Sequence, residues 1–316
     1  MWQVSSGVFL GWSLGSNDAA NVFGTAVASR MVRFRTAAIL CAFFVLIGSV
    51  LQGPEGMHTY NEMSSAGNLN VAFVVSFAAA VTVTLMTYLR LPVSTSQAVV
   101  GALVMVGLTT GRLEYGPLEK VLLCWVATPI GAMLMAIVLY FLVGKLMNVL
   151  DFNLFAHDRY LRIGLILAGS YGAYALGANN VANVTGVFVG DDMLTPLQAS
   201  VIGALAIGLG VMTFSRNVMM TVGRSLVKLD AFSAFVVVLS EAATVHLFAY
   251  VGVPVSTSQA VVGGVLGIGV VKGVQTVQTK TLWKILFGWL GTPTISFAVA
   301  GALYHTFLLA GLISTP

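Results

Sequence analysis

Charge is what this sequence has least of. Its 316 residues include 15 Lys and Arg and 11 Asp and Glu, 8% of the chain, against 58% hydrophobic residues and a mean hydropathy of +0.93. A soluble domain needs about a quarter of its residues charged to face water, so a soluble globular fold is excluded. A disordered chain is excluded too, because it could not keep so much apolar surface in solvent. The formal charge of +4 arises from basic loops and gives no argument for nucleic acid as a partner. Cysteine is nearly absent: Cys41 and Cys124 both lie inside apolar stretches, where they read as small buried hydrophobes. No disulfide framework and no metal-ligand spacing is present.

What remains is an all-α integral membrane protein. Each crossing takes roughly 20 apolar residues, and ten apolar stretches can be drawn, near 2–28, 37–52, 70–90, 94–111 and 119–144, then 161–189, 197–213, 231–251, 256–271 and 281–312. The first stretch carries Ala26-Val27-Ala28, which has the look of a cleavage site, but no basic residue precedes it and Gly15-Ser16-Asn17-Asp18 interrupts it. It is expected to be a retained, broken helix. If every stretch changes side, thirteen Lys and Arg fall on one face and only Arg112 and Lys120 on the other. That bias places the mid-chain linker in the cytoplasm of a multi-pass plasma-membrane protein, with both termini outside.

The chain repeats itself. Leu14–Gly24 (LGSNDAANVFG) recurs as Leu176–Gly186 (LGANNVANVTG), and Leu91–Gly101 (LPVSTSQAVVG) recurs as Val253–Gly263 (VPVSTSQAVVG), both at an offset of 162 residues. Two long motifs sharing one offset mark an internal duplication. The expected units are a first repeat over residues 1–144, a linker over 145–160 and a second repeat over 161–316. Five stretches per half is an odd number, so the second half enters from the opposite side. The expectation is two inverted-topology repeats, as in many secondary transporters, with discontinuous first helices and Pro-Ser-Thr hairpin tips.

The motif residues suggest a chemistry. Pro92 ends one helix, and the Ser-Thr-Ser-Gln that follows starts another. The amides at a helix start are unpaired and carry partial positive charge. In hydrocarbon such backbone is tolerated only inside protein or along a cavity. Two such tips meeting near the midplane suit a tetrahedral oxyanion. Gly15–Asp18 with Asn21, and Gly177–Asn180 with Asn183, offer hard oxygen ligands suited to sodium. Asp18 and Glu241 are the acids placed within membrane stretches, and such residues are functional by default. His246 reads as a hydrogen-bonded histidine, and no motif links it to a serine as a hydrolase would require. No Lys or Arg lies well inside a stretch, so a midplane anion needs neutral donors and cations bound beside it. A negative cell interior opposes anion entry by roughly 2.3 kcal/mol per charge per 100 mV, which favours cation symport.

With both motif pairs in order over essentially the whole chain, the sequence resembles the inorganic phosphate transporter (PiT) family of sodium- or proton-coupled symporters. The likeness extends to Arg216–Gly223 (RNVMMTVG) in the second half. The resemblance implies alternating-access import of inorganic phosphate with co-transported sodium and no organic cofactor. Sulfate or another tetrahedral oxyanion, with protons as the coupling ion, is the alternative. By the same resemblance, Ser94, Thr95, Ser96, Gln97, Ser256, Thr257, Ser258 and Gln259, with Asn21 and Asn183, hold phosphate. Asn17, Asp18, Asn179, Asn180 and Glu241 serve sodium. Partners are then phosphate and the lipid bilayer; a homodimer is compatible with such carriers, although no residue demands one. The chain departs from the family pattern at Asn180, where a second Asp is usual, at Gln97 and Gln259, where His is usual, and at Ser96 and Ser258, where Thr is usual. Val238 stands where the family has a Glu, with Glu241 one turn further on, and the first-half acid expected near Val45 is missing.

Overall fold

A computed structural model describes residues 1–63, 68–89, 93–149, 154–190, 193–225, 229–273 and 279–313. Among these the chain is helical, and its only extended pairing is an isolated bridge between Val189 and Leu194. The first half contains α1 (Val4–Ala28), α2 (Phe34–Met63), α3 (Leu69–Tyr88), α4 (Thr95–Thr110) and α5 (Tyr115–Val149). The second contains α6 (Leu154–Thr185), α7 (Pro196–Thr213), α8 (Ser215–Ser225), α9 (Ala231–Tyr250), α10 (Thr257–Lys272) and α11 (Thr279–Leu309). Among the described residues seven helices are long and apolar enough to cross a bilayer: α2, α3, α5, α6, α7, α9 and α11. α4 and α10 are apolar but shorter, at 16 residues each.

Local sequence explains many of the helix ends. Asn68 caps α3 by accepting from the amides of Asn70 and Val71, and Thr195 and Gln198 form a reciprocal capping box ahead of Pro196 on α7. Asp230 caps α9. α4 and α10 both stop at a glycine in the left-handed region, Gly111 (φ 67°) and Gly273 (φ 75°). The expected Pro92 turn, with Arg90 and Leu91, lies outside the described residues.

Two expectations are corrected. The first stretch of each half is not discontinuous, because α1 runs unbroken through Gly15-Ser16-Asn17-Asp18 and α6 runs unbroken to Thr185. Buried helices keep their backbone bonds when no water can replace them, and Ser16 Oγ returns its proton to the Trp12 carbonyl at 2.7 Å instead of breaking the turn. Secondly, α2 continues past Pro54 to Met63, about a dozen residues beyond the stretch drawn from hydropathy. Its extension is held by tertiary contacts, among them Thr59 Oγ1 donating to the Gly252 carbonyl at 2.6 Å. The described parts of the 145–160 segment are the end of α5 and the start of α6.

The helices of the two halves interlock. α2 packs on α6, α1 on α7, α10 on α5 and α11 on α4. Glycines set these crossings. A Cβ on Gly15 would lie 2.0 Å from the Ile207 carbonyl oxygen, and one on Gly177 would lie 2.2 Å from that of Val45. Gly48 meets the Tyr174 carbonyl and Gly210 the Trp12 carbonyl in the same way, at 2.0 and 2.1 Å. Each pair repeats the other at the 162-residue offset, so the packing is reciprocal as well as the sequence. Around this centre α5 buries only Val121, Thr128, Ala132 and Ala136, leaving an outer face of Leu122, Leu123, Val126 and Ile130, as suits contact with lipid chains.

Because backbone oxygen sits where the methyl would go, Gly48→Ala and Gly210→Ala are each expected to destabilise the protein by about 1–3 kcal/mol or more. Gly116→Ala, with nothing within 4 Å of its Cβ, should leave stability unchanged. Thermal midpoints of the detergent-solubilised variants measure this; equal midpoints for all three would refute the interlock.

Candidate functional site

The centre of the bundle is built from the first turns of α4 and α10. Ser94 and Ser256 cap them with extended backbone (φ −121° and −91°) and accept from the amides of Gln97 and Gln259 at 3.4 and 3.3 Å. Each capping hydroxyl also pairs with the serine two residues on, Ser94 with Ser96 at 3.1 Å and Ser256 with Ser258 at 2.9 Å. The two copies of the motif therefore fold alike. Their first-turn amides lack partners within the helix, as every α-helix N-terminus requires. The two turns are also neighbours, since Ser258 Oγ donates to the Val93 carbonyl at 3.0 Å.

α1 and α6 close the site from the sides. Thr257 Oγ1 donates to Asp18 Oδ2 at 3.0 Å, and Asn21 Nδ2 reaches the same hydroxyl at 3.5 Å. Asp18 is 3% exposed, so its carboxylate sits beside the α10 turn out of bulk solvent. On α6, Asn179 grips the α10 approach, accepting from the Val255 amide at 3.0 Å and donating to its carbonyl at 2.8 Å. Both ends of that amide are engaged by one backbone residue, which makes Asn179 a clamp on the turn. Asn183 donates to Asn180 Oδ1 at 2.6 Å and accepts from the Tyr60 hydroxyl.

Several buried polar atoms here have no partner: Thr95 Oγ1, Gln97 Oε1, Gln259 Oε1 and Asn180 Nδ2. Buried polar groups are nearly always satisfied, so a cluster of exceptions calls for an explanation. Glu241 adds a fully buried carboxyl with neither oxygen bonded. It lies against Gly172 on α6, with Asp18 and Cys41 as electrostatic neighbours. Among the described residues no Lys or Arg is buried, and no cluster of three His, Cys, Asp or Glu is present. The arrangement offers hydroxyls and amides to an anion, and carboxylates to a cation.

Not every expected residue joins this cluster. Asn17 points toward α3, donating to Thr87 Oγ1 at 3.0 Å. His246 stands apart in a hydrogen-bonded triad, with Nδ1 2.8 Å from the Tyr171 hydroxyl and Nε2 2.8 Å from Gln52 Oε1. Tyr60 was missed in the sequence because it follows Pro54 in a segment read as loop. Only the helical continuation of α2 brings it to Asn183.

Comparison with known proteins identifies the family and the fold. A model of the phosphate transporter family matches residues 14–300. The "Putative phosphate permease" of Methanocaldococcus jannaschii is 32% identical over 291 residues, covering 92% of each chain. The sulfate permease CysP of Bacillus subtilis is 27% identical over 314 residues, covering 97% of this chain and 88% of that one. A solved structure titled "The sodium-dependent phosphate transporter" shares the fold, with a TM-score of 0.84 at 24% identity over 97% of this chain and 98% of that one. A multi-pass membrane protein and not an enzyme, this chain belongs to the phosphate transporter family.

Proposed function

We propose that the chain is a secondary symporter that imports inorganic phosphate together with sodium, by alternating access around a site between the α4 and α10 turns. The observation that carries this reading is the meeting of two identical Ser-Thr-Ser-Gln turns, tied by Ser258 to Val93 and flanked by the Asp18 carboxylate. Ser94–Gln97 and Ser256–Gln259 supply the donors to phosphate. Asp18, with Glu241 as the second carboxyl, supplies the cation's ligands, and Asn21, beside the Thr257 hydroxyl, joins the phosphate donors. Asn179 and Asn183 shape the site by holding the α10 turn and the Asn180 amide.

A bound cation answers an electrostatic need. Among the described residues no Lys or Arg is buried, and a multiply charged anion left unpaired in a low-dielectric interior costs many kcal/mol. Sodium entering with it removes that charge and supplies the driving force. The reciprocal glycine contacts support reading the halves as inverted repeats that exchange access by rocking about the fixed turns. The thirteen-to-two distribution of basic residues supports termini on the outside. Sulfate is the second reading, favoured by the 27% identity to a sulfate permease and by turns whose neutral donors do not require a protonatable ligand.

Uptake of labelled phosphate into proteoliposomes, with sodium and pH gradients imposed separately, tests this. Uptake driven by the sodium gradient is expected; sulfate uptake with no phosphate uptake under any gradient would overturn the substrate. Thr95→Ala should lower phosphate uptake about tenfold, the loss of one hydrogen bond to a charged ligand. Asp18→Asn should lower it by ten- to a hundredfold, roughly the worth of a charge-assisted bond. Wild-type uptake by both variants at normal expression would reject the site.

A further inference from the structure

The two sides of the site differ in a way the repeat hides. Asp18 on α1 and Asn180 on α6 occupy matched positions at the 162-residue offset. Asp18 is an acceptor and receives the Thr257 hydroxyl. Asn180 is an amide, and which end it presents depends on its neighbours.

A chain of hydrogen bonds decides. The Tyr60 hydroxyl has one proton and donates it to Asn183 Oδ1, which has none. With its carbonyl occupied, Asn183 turns its NH2 group to Asn180 and donates to Oδ1 at 2.6 Å. Asn180 is then left with its own NH2 group, which is buried and has no partner. A buried donor is expensive to leave unpaired, so its free N–H is where a ligand acceptor belongs. Tyr60 itself is fully buried, its ring against Gly186 and its helix tied to Gly252 through Thr59. The corresponding position at the offset is Val222, which has no hydroxyl, so the sequence does not repeat Tyr60.

We propose that Tyr60 is a positioning residue that, through Asn183, turns the Asn180 amide so that its NH2 group faces the site, making the α6 side an oxyanion donor and leaving the cation to the Asp18 side. This rests on the oxyanion-symport reading and deepens it. The two halves, alike in fold, are polarised, and Asn180 serves the anion where the repeat alone would give it to a cation.

The test uses the full chain in proteoliposomes with an inward sodium gradient. Tyr60→Phe keeps the ring and removes only the hydroxyl. It is expected to raise the phosphate KM about tenfold, with the maximal rate within about twofold and the sodium half-saturation unmoved. A purely structural loss would lower the rate and leave KM in place. Asn180→Asp exchanges the donor for an acceptor of the same shape; it should raise the phosphate KM at low sodium by at least as much and steepen the sodium dependence, as a further cation is drawn in. An unchanged phosphate KM in Tyr60→Phe, or a shift confined to the sodium half-saturation, would overturn the proposal. Where Tyr60→Phe yields no folded protein, Asn180→Asp decides, and an unchanged phosphate KM there overturns it. If the wild type carries sulfate and not phosphate, the substrate reading fails alone and the same variants are read with labelled sulfate. Uptake of neither anion overturns both.

Discussion

A helix that begins inside a membrane-embedded bundle leaves amide hydrogens that hydrocarbon cannot satisfy. This chain does so twice, at Ser94 and Ser256, and sets the two starts against each other. Much of the surrounding structure serves that placement. Asn179 clamps Val255, Thr59 holds Gly252, and the end of α2 is carried past Pro54 to reach both the turn and Asn183. The unpaired donors would be a liability in a purely structural protein. Under the proposed function they are the recognition surface, where a charged ligand supplies the missing acceptors.

Reciprocal glycine contacts explain how such a centre can be both held and moved. Gly15 on Ile207, Gly177 on Val45, Gly48 on Tyr174 and Gly210 on Trp12 bring backbones together with no side chain between them. Crossings of this kind, as in small-residue packing of membrane helices generally, are close and smooth, and they couple the first helix of each half to the second helix of the other. In the proposed alternating access, a rearrangement of one half would carry part of the other with it.

Much of this was legible in the sequence, and the rest was hidden for identifiable reasons. The apolar runs located nearly all the long helices, and the doubled Pro-Val-Ser-Thr-Ser-Gln motif marked two helix starts with a Ser or Thr cap, which the structure assigns to Ser94 and Ser256. Gly15-Ser16-Asn17-Asp18 misled, because poor helix propensity was read as a break where burial enforces a continuous helix. The run near 37–52 ended too early, because hydropathy falls off around Pro54 and Glu55 while the helix continues through them to Met63. Tyr60 went unseen as a result. Asn179 and Asn183 were recognised as polar residues of a site, but spacing alone could not tell a ligand from a clamp; that took the partners of each amide end.

The account stands on one oxyanion shared by both turns. Arsenate, a tetrahedral analogue of phosphate, makes this visible through the anomalous scattering of its arsenic in crystals grown with sodium. The account predicts a single arsenic peak per chain within hydrogen-bonding reach of both Ser94–Ser96 and Ser256–Ser258. A peak at one turn alone, two separate peaks, or a peak elsewhere in the bundle would contradict it.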